Sequence, residues 1–97
     1  MELLIDATRT YSVDRVIRSV KKGKRALREL PVETLYLDHQ FGESETGCDV
    51  IAWAERKKLL PQQVVLVSTS PAGRADMARL LSSVGYQSMD GIRYSRF

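Results

Sequence analysis

Val32–Lys58, VETLYLDHQFGESETGCDVIAWAERKK, is the stretch whose reading decides the fold. Val32, Leu35 and Leu37, interleaved with Thr34 and Tyr36, are β-branched, aromatic or aliphatic, and read as a strand over Val32–Asp38. The strand ends in two polar residues, Asp38 and His39, followed by Gly42 and a short acidic loop. A helix then begins at Thr46. Threonine is a good N-cap, and Asp49 three residues on supplies the carboxylate of a capping box. Val50, Ile51, Trp53 and Ala54 give that helix its buried face, and Pro61 stops it after Leu59. A strand that carries a carboxylate and an imidazole to its carboxyl end, then turns into a helix, is how α/β proteins build sites.

Working outward, Glu2–Asp6 reads as a strand, with Leu3, Leu4 and Ile5 a continuous apolar run of the kind buried on both faces. A polar loop, Ala7–Tyr11, follows. Ser12–Leu30 has two readings. Val13, Val16, Ile17, Val20, Leu27 and Leu30 fall near helical spacing behind Ser12, which favours one helix. Alternatively, Val16–Ile17 sit in a short strand and Ser19 caps a helix over Val20–Glu29. Beyond the central stretch, Val64–Val67 is a buried strand ending in Ser68, Thr69 and Ser70. Ser70-Pro71 is an N-cap followed by proline at the first helical position. Met77, Leu80, Leu81 and Val84 form that helix's apolar stripe, and Gly85 stops it. In the tail, Asp90-Gly91 between Tyr86–Met89 and Ile92–Tyr94 signals a hairpin. The expected architecture is a single α/β domain over 1–97, a mostly parallel sheet with helices on both faces.

Composition narrows the class. With 97 residues, 43% hydrophobic and 28% charged, the chain has enough material for one core. Met1–Ile5 is too short for a signal-peptide core and no run of apolar residues is long enough for a membrane helix. One cysteine excludes an internal disulfide framework, and the expected location is cytoplasmic. The net charge of +3 is unevenly placed. Arg15, Arg18, Lys21, Lys22, Lys24, Arg25 and Arg28 crowd one segment, which reads as a solvated face or as a grip on a phosphate backbone.

Three strand ends carry polar residues: Asp6 and Arg9, Asp38 and His39, and Ser68–Ser70. In a parallel sheet they share one rim, where open α/β sheets bind ligands. Asp6 and Asp38 can hold Mg²⁺ through oxygen, Arg9 can pair with a phosphate, and amides after Ser70 favour an anion. His39 is a candidate acid–base group. The plainer reading is strand-end caps and loop hydrogen bonds. Cys48, in a helical first turn, is either a thiol of lowered pKa or a small packed residue. Trp53 reads as core. Tyr86, Tyr94 and Phe97 with Arg93 and Arg96 make either an aromatic, basic patch or a hairpin covering the sheet edge.

LDHQFG at Leu37–Gly42 with TGCDVIAW at Thr46–Trp53 resembles the LDHDLG…TG-x-DV-x-x-W signature of the cyclic-phosphate-processing receiver domains. IDATR at Ile5–Arg9 is similar to that family's LDD-x-R, and VSTSPAGRADM at Val67–Met77 to its HSxNP-x-G-x-x-x-M. The resemblance implies a receiver-like, flavodoxin-like three-layer sandwich, and favours strand then helix within Ser12–Leu30. It also places Asp38 where receivers accept a phosphoryl group, Asp6 in the acidic pair that holds Mg²⁺, and Arg9, His39 and Ser68 on the family's other polar positions. Four positions depart: Ala7 and Gln40 stand where the family has aspartates, Val67 where it has histidine, and Ser70 where it has asparagine. Losing two carboxylates weakens a metal site, and losing an imidazole removes an acid–base partner. The lysine that ordinary receivers carry has Arg93 as its nearest counterpart.

The expected function is therefore binding of a phosphate-containing ligand, a cyclic phosphate terminus of a nucleotide or RNA, at the carboxyl-end rim with weak or lost catalysis. Asp38 and His39 are the candidate catalytic pair, Arg9, Ser68 and Ser70 the phosphate ligands, and Asp6 and Asp38 the metal ligands. Alternatives are an active metal-assisted cyclic phosphodiesterase, a receiver-like adaptor docking on a partner protein or a second copy, and an RNA-binding accessory using Arg15–Arg28. No organic cofactor is expected.

Overall fold

The chain runs β1 (Glu2–Ile5), β2 (Arg15–Ile17), α1 (Val20–Glu29), β3 (Thr34–Leu37), α2 (Gly47–Arg56), β4 (Gln63–Leu66), α3 (Pro71–Ser83) and β5 (Arg93–Ser95), in a computed structural model that describes residues 1–96. The five strands form one sheet in the order β2-β1-β3-β4-β5. The first four are parallel; β5 runs antiparallel to β4. This is the receiver-like, mostly parallel α/β arrangement.

Within Ser12–Leu30 the strand-then-helix reading holds. Val16 pairs with Leu4 and Ile17 with Ile5, and Ser19 then accepts the Lys22 amide at 3.3 Å to start α1. The capping box at Thr46 forms as its spacing predicts, with the Asp49 carboxylate accepting the Thr46 amide at 2.8 Å. That helix ends at Arg56 instead of Leu59, because Lys58 turns the chain at φ 59°. Ser70 caps α3 through the Gly73 amide at 3.1 Å, with Pro71 opening the helix.

The core lies on one side of the sheet. Leu3, Leu35, Val64 and Tyr94 are register partners in one row, and Ile5, Leu37 and Leu66 in another. All seven belong to a cluster with Val20 and Leu27 of α1, Val50, Ile51 and Ala54 of α2, and Met77 and Leu81 of α3. The three helices therefore share one face. Topology demands it: the crossovers β2-α1-β3 and β3-α2-β4 move in the same direction along the sheet, and a right-handed crossover then puts both helices on the same side. Among the described residues the second helical layer expected for a three-layer sandwich does not form, because β1 and β2 are joined by the loop Asp6–Asp14 with no helix in it. The opposite face carries Leu4, Tyr36, Val65 and Arg93 in register. Leu4 and Val65 are buried there all the same, and the Tyr11 ring tilts against Tyr36 at 6.1 Å.

The tail closes the β4 edge. Gln87 bridges to Ser95, Gly91 takes φ 75°, and the Asp90 carboxylate accepts the amides of Ile92 and Arg93 at 2.9 Å. Tyr86 and Tyr94 are buried, and Arg96 is held by Glu55 at 3.0 Å and the Val84 carbonyl at 2.8 Å while stacking over the Tyr86 ring. These aromatic residues are packing groups rather than a surface for stacking bases. Phe97 lies outside the described residues. No helix among the described residues is long and apolar enough to cross a membrane.

Candidate functional site

Loops leaving β1, β3 and β4 meet at the carboxyl-end rim, and an arginine from the first ties them together. Arg9 Nη1 donates to Asp6 Oδ2 at 2.8 Å and lies 3.5 Å from Asp38 Oδ1. Its Nη2 donates to Thr69 Oγ1 at 3.3 Å, sixty residues away in the chain. Asp6, Arg9 and Asp38 are thus brought together as their strand-end positions predict.

Asp6 has no exposed surface, so its charge needs partners from within the fold. The turn after β1 provides them: Oδ1 accepts the amides of Thr8 and Arg9, both at 3.0 Å, and Oδ2 accepts the guanidinium. Burial by itself pushes the carboxyl pKa up, but the two amides and the Arg9 side chain outweigh it and hold Asp6 below its ordinary value. The same ion pair raises Arg9. Asp38 differs. Its Oδ1 accepts the His39 amide at 2.7 Å, while Oδ2 has no partner among the described residues and is not buried away from solvent.

The other predicted residues flank this cluster. The His39 ring lies against the first turn of α3, where a Cβ on Gly73 would come within 2.6 Å of it. Its Nδ1 is 3.3 Å from Gln40 Nε2, and it makes no hydrogen bond to Asp6, Arg9 or Asp38 among the described residues. Ser68 is buried and accepts the Ser70 amide at 3.1 Å, so it shapes the loop after β4; Ser70 spends its hydroxyl oxygen on the α3 cap. Arg93 does not stand in for the receiver lysine. Arg93 pairs with Val65 near the carboxyl end of β4, on the face opposite the helices, and its guanidinium reaches back along the strand to donate to Gln63 at 2.9 Å, away from the rim.

Two contributors were not evident from residue pattern. Thr69 is one: it stands between the two serines expected as phosphate ligands, and its hydroxyl holds Arg9. Arg18 is the other. It reads as one cation in a basic run, yet β2 ends beside β1 and delivers its guanidinium to the loop carrying Arg9. Arg18 Nη1 donates to the carbonyls of Arg9 and of Asp6, the latter at 3.2 Å, and Nη2 to Thr10 Oγ1 at 2.8 Å. It has no carboxylate partner among the described ion pairs. Elsewhere the basic segment is a partly paired surface, with Lys24 bound to Glu45 at 2.6 Å and lying over the Trp53 ring.

As arranged, the two carboxylates do not fit a divalent cation. Such ions take six or more oxygens, and here Asp6 is ligated by protein donors on both oxygens. No group of three or more His, Cys, Asp or Glu among the described residues could hold a metal. Ala7 and Gln40 supply no further carboxylate.

Cys48 is not an activated thiol. Burial is the main cause that pushes its pKa up, with Asp76 adding to it. At neutral pH its labelling by a thiol-specific disulfide reagent is expected to be slower than that of a free cysteine peptide, and a rate equal to the peptide's would refute that assignment.

A five-stranded sheet in receiver order, with aspartates at the ends of β1 and β3, defines a receiver-like α/β domain. The family profile of the cyclic-phosphate processing receiver domain matches residues 1–83, and the chain belongs to that family. No curated protein and no solved structure matches it significantly.

Proposed function

We propose that the rim binds a phosphate-containing ligand, a cyclic phosphate terminus of a nucleotide or RNA, with catalysis weak or lost. The observation that carries this reading is Arg9, half-buried, aimed by Asp6 and Thr69 and retaining N–H groups without an acceptor among the described residues. A guanidinium fixed in this way is preorganised for phosphate oxygens. Arg18 adds a second positive charge beside it. Weak turnover follows from two features: the His39 ring is not hydrogen-bonded to the Asp38 carboxylate, and Asp6 is engaged by its own loop. The alternative, an active phosphodiesterase, needs Asp38 Oδ2 and His39 to act from the two sides of one ligand.

The test is a 2′,3′-cyclic nucleotide titration followed by amide NMR in the presence of EDTA, with the same samples assayed for product. Shifts are expected over Asp6–Thr10, Asp38–His39 and Ser68–Ser70, and Arg9→Met is expected to weaken binding about tenfold or more, the worth of a charge-assisted hydrogen bond. Rapid product formation lost in Asp38→Asn would favour the enzyme. An unperturbed rim would overturn the binding reading.

A further inference from the structure

We infer that the Arg9 guanidinium is a built-in replacement for a divalent cation, so that this rim is a metal-independent anion site. The inference rests on the rim being the anion site, and it specifies how that site is charged. A single nitrogen, Nη1, stands between the two carboxylates, 2.8 Å from Asp6 and 3.5 Å from Asp38. That is the bridging place a metal would need. Arg9 does not reach it by chance rotation: its own amide is bound to Asp6 Oδ1, its carbonyl accepts from Arg18, and its Nη2 is tied to Thr69. The loop therefore holds the side chain from both ends.

The charges balance without help. Asp6 and Asp38 contribute two negative charges and Arg9 and Arg18 two positive ones. Asp6, having no exposed surface, retains a counter-charge at every stage of ligand exchange. A divalent ion would have to displace Arg9 and strip amides from Asp6 Oδ1, both at a cost in buried hydrogen bonds. A covalently attached guanidinium also carries no dissociation constant, so the site stays charged at any metal concentration.

Mn²⁺ is the probe, because its paramagnetism broadens nearby amides whether or not any ligand or activity exists. Wild-type protein at millimolar Mn²⁺ is expected to show no more broadening at Asp6, Asp38 and His39 than at exposed carboxylates such as Glu33. Arg9→Met frees Asp6 Oδ2 and removes the cation beside Asp38 Oδ1, leaving two uncompensated carboxylates, and is expected to bind Mn²⁺ about tenfold or more tightly than wild type. Arg9→Lys retains a cation and is expected to behave as wild type. Selective broadening at Asp6 and Asp38 in the wild type overturns the inference, even if Arg9→Met fails to fold. A folded Arg9→Met with no gain in Mn²⁺ binding overturns it as well. Failure of the ligand-binding reading looks different: a rim silent to both Mn²⁺ and cyclic nucleotide sinks the anion site and leaves only the guanidinium's occupation of the metal's place, whereas nucleotide binding that requires a metal sinks this inference alone.

Discussion

Asp6→Ala is expected to cost about 3–5 kcal/mol of folding stability, the scale seen when one partner of a buried ion pair is removed. The side chain has no exposed surface and organises everything around it: the amides of Thr8 and Arg9 on one oxygen and the Arg9 guanidinium on the other. Alanine leaves two amides without acceptors and a half-buried cation facing Asp38 alone. Urea unfolding monitored by the Trp53 fluorescence would report the loss as a lower midpoint at unchanged slope. Asp6→Asn separates shape from charge, since an amide oxygen can still accept the two N–H groups. Because the folded pKa of Asp6 is lowered, its contribution is complete above the unfolded carboxylate value of about 3.9 and is lost as pH falls toward the folded value. The stability gap between wild type and Asp6→Asn is therefore expected to be wide at neutral pH and to close in acid. A gap that is constant with pH would show that Asp6 is not the charged group assigned here.

Gly47→Ala is expected to destabilise the fold by about 3 kcal/mol and to move Asp38 from its place. Gly47 is the first residue of α2, and its amide donates to the His39 carbonyl at 2.9 Å. Helix and strand end approach so closely that an added Cβ would lie 2.3 Å from the Asp38 carbonyl oxygen and 2.7 Å from Met77 Sδ. The methionine can swing aside. The carbonyl belongs to the backbone, so Asp38 itself must shift. Amide NMR of the variant is expected to show large shifts at Asp38, His39 and Phe41, with lower thermal stability. A variant as stable as wild type with an undisturbed Asp38 would show that α2 can slide without consequence for the site.

Much of this structure is written locally. The apolar run before Asp38, the Thr46–Asp49 box and the Ser70-Pro71 start each depend on neighbours a few residues apart, and each forms where the residues put it. Placing Asp6, Arg9 and Asp38 on a shared rim needed only the inference of a parallel sheet. Other features depend on contacts distant in sequence. Val16 and Ile17 fit a helical spacing as well as a three-residue strand, and pairing with β1 decides between them. Leu4 and Val65 are as apolar as Leu3 and Val64, so the pattern implies helices on both faces when only one face has them. Thr69 and Arg18 gain their roles from loops that converge in space. Arg93 is drawn from the rim by Gln63, thirty residues earlier in the chain, and that contact has no signal in Arg93 itself.

The reversed last strand has a practical consequence. Glu2, Thr34, Gln63 and Ser95 occupy one row across the sheet, at the end opposite Asp6 and Asp38. The amino group of Met1 is bound to the Pro31 carbonyl there, and the Arg96 amide to that of Gln62. A tether attached at either position, to a sensor chip, a fluorophore or a fused protein, projects from the floor of the domain. Its mouth stays open to whatever is flowed across it.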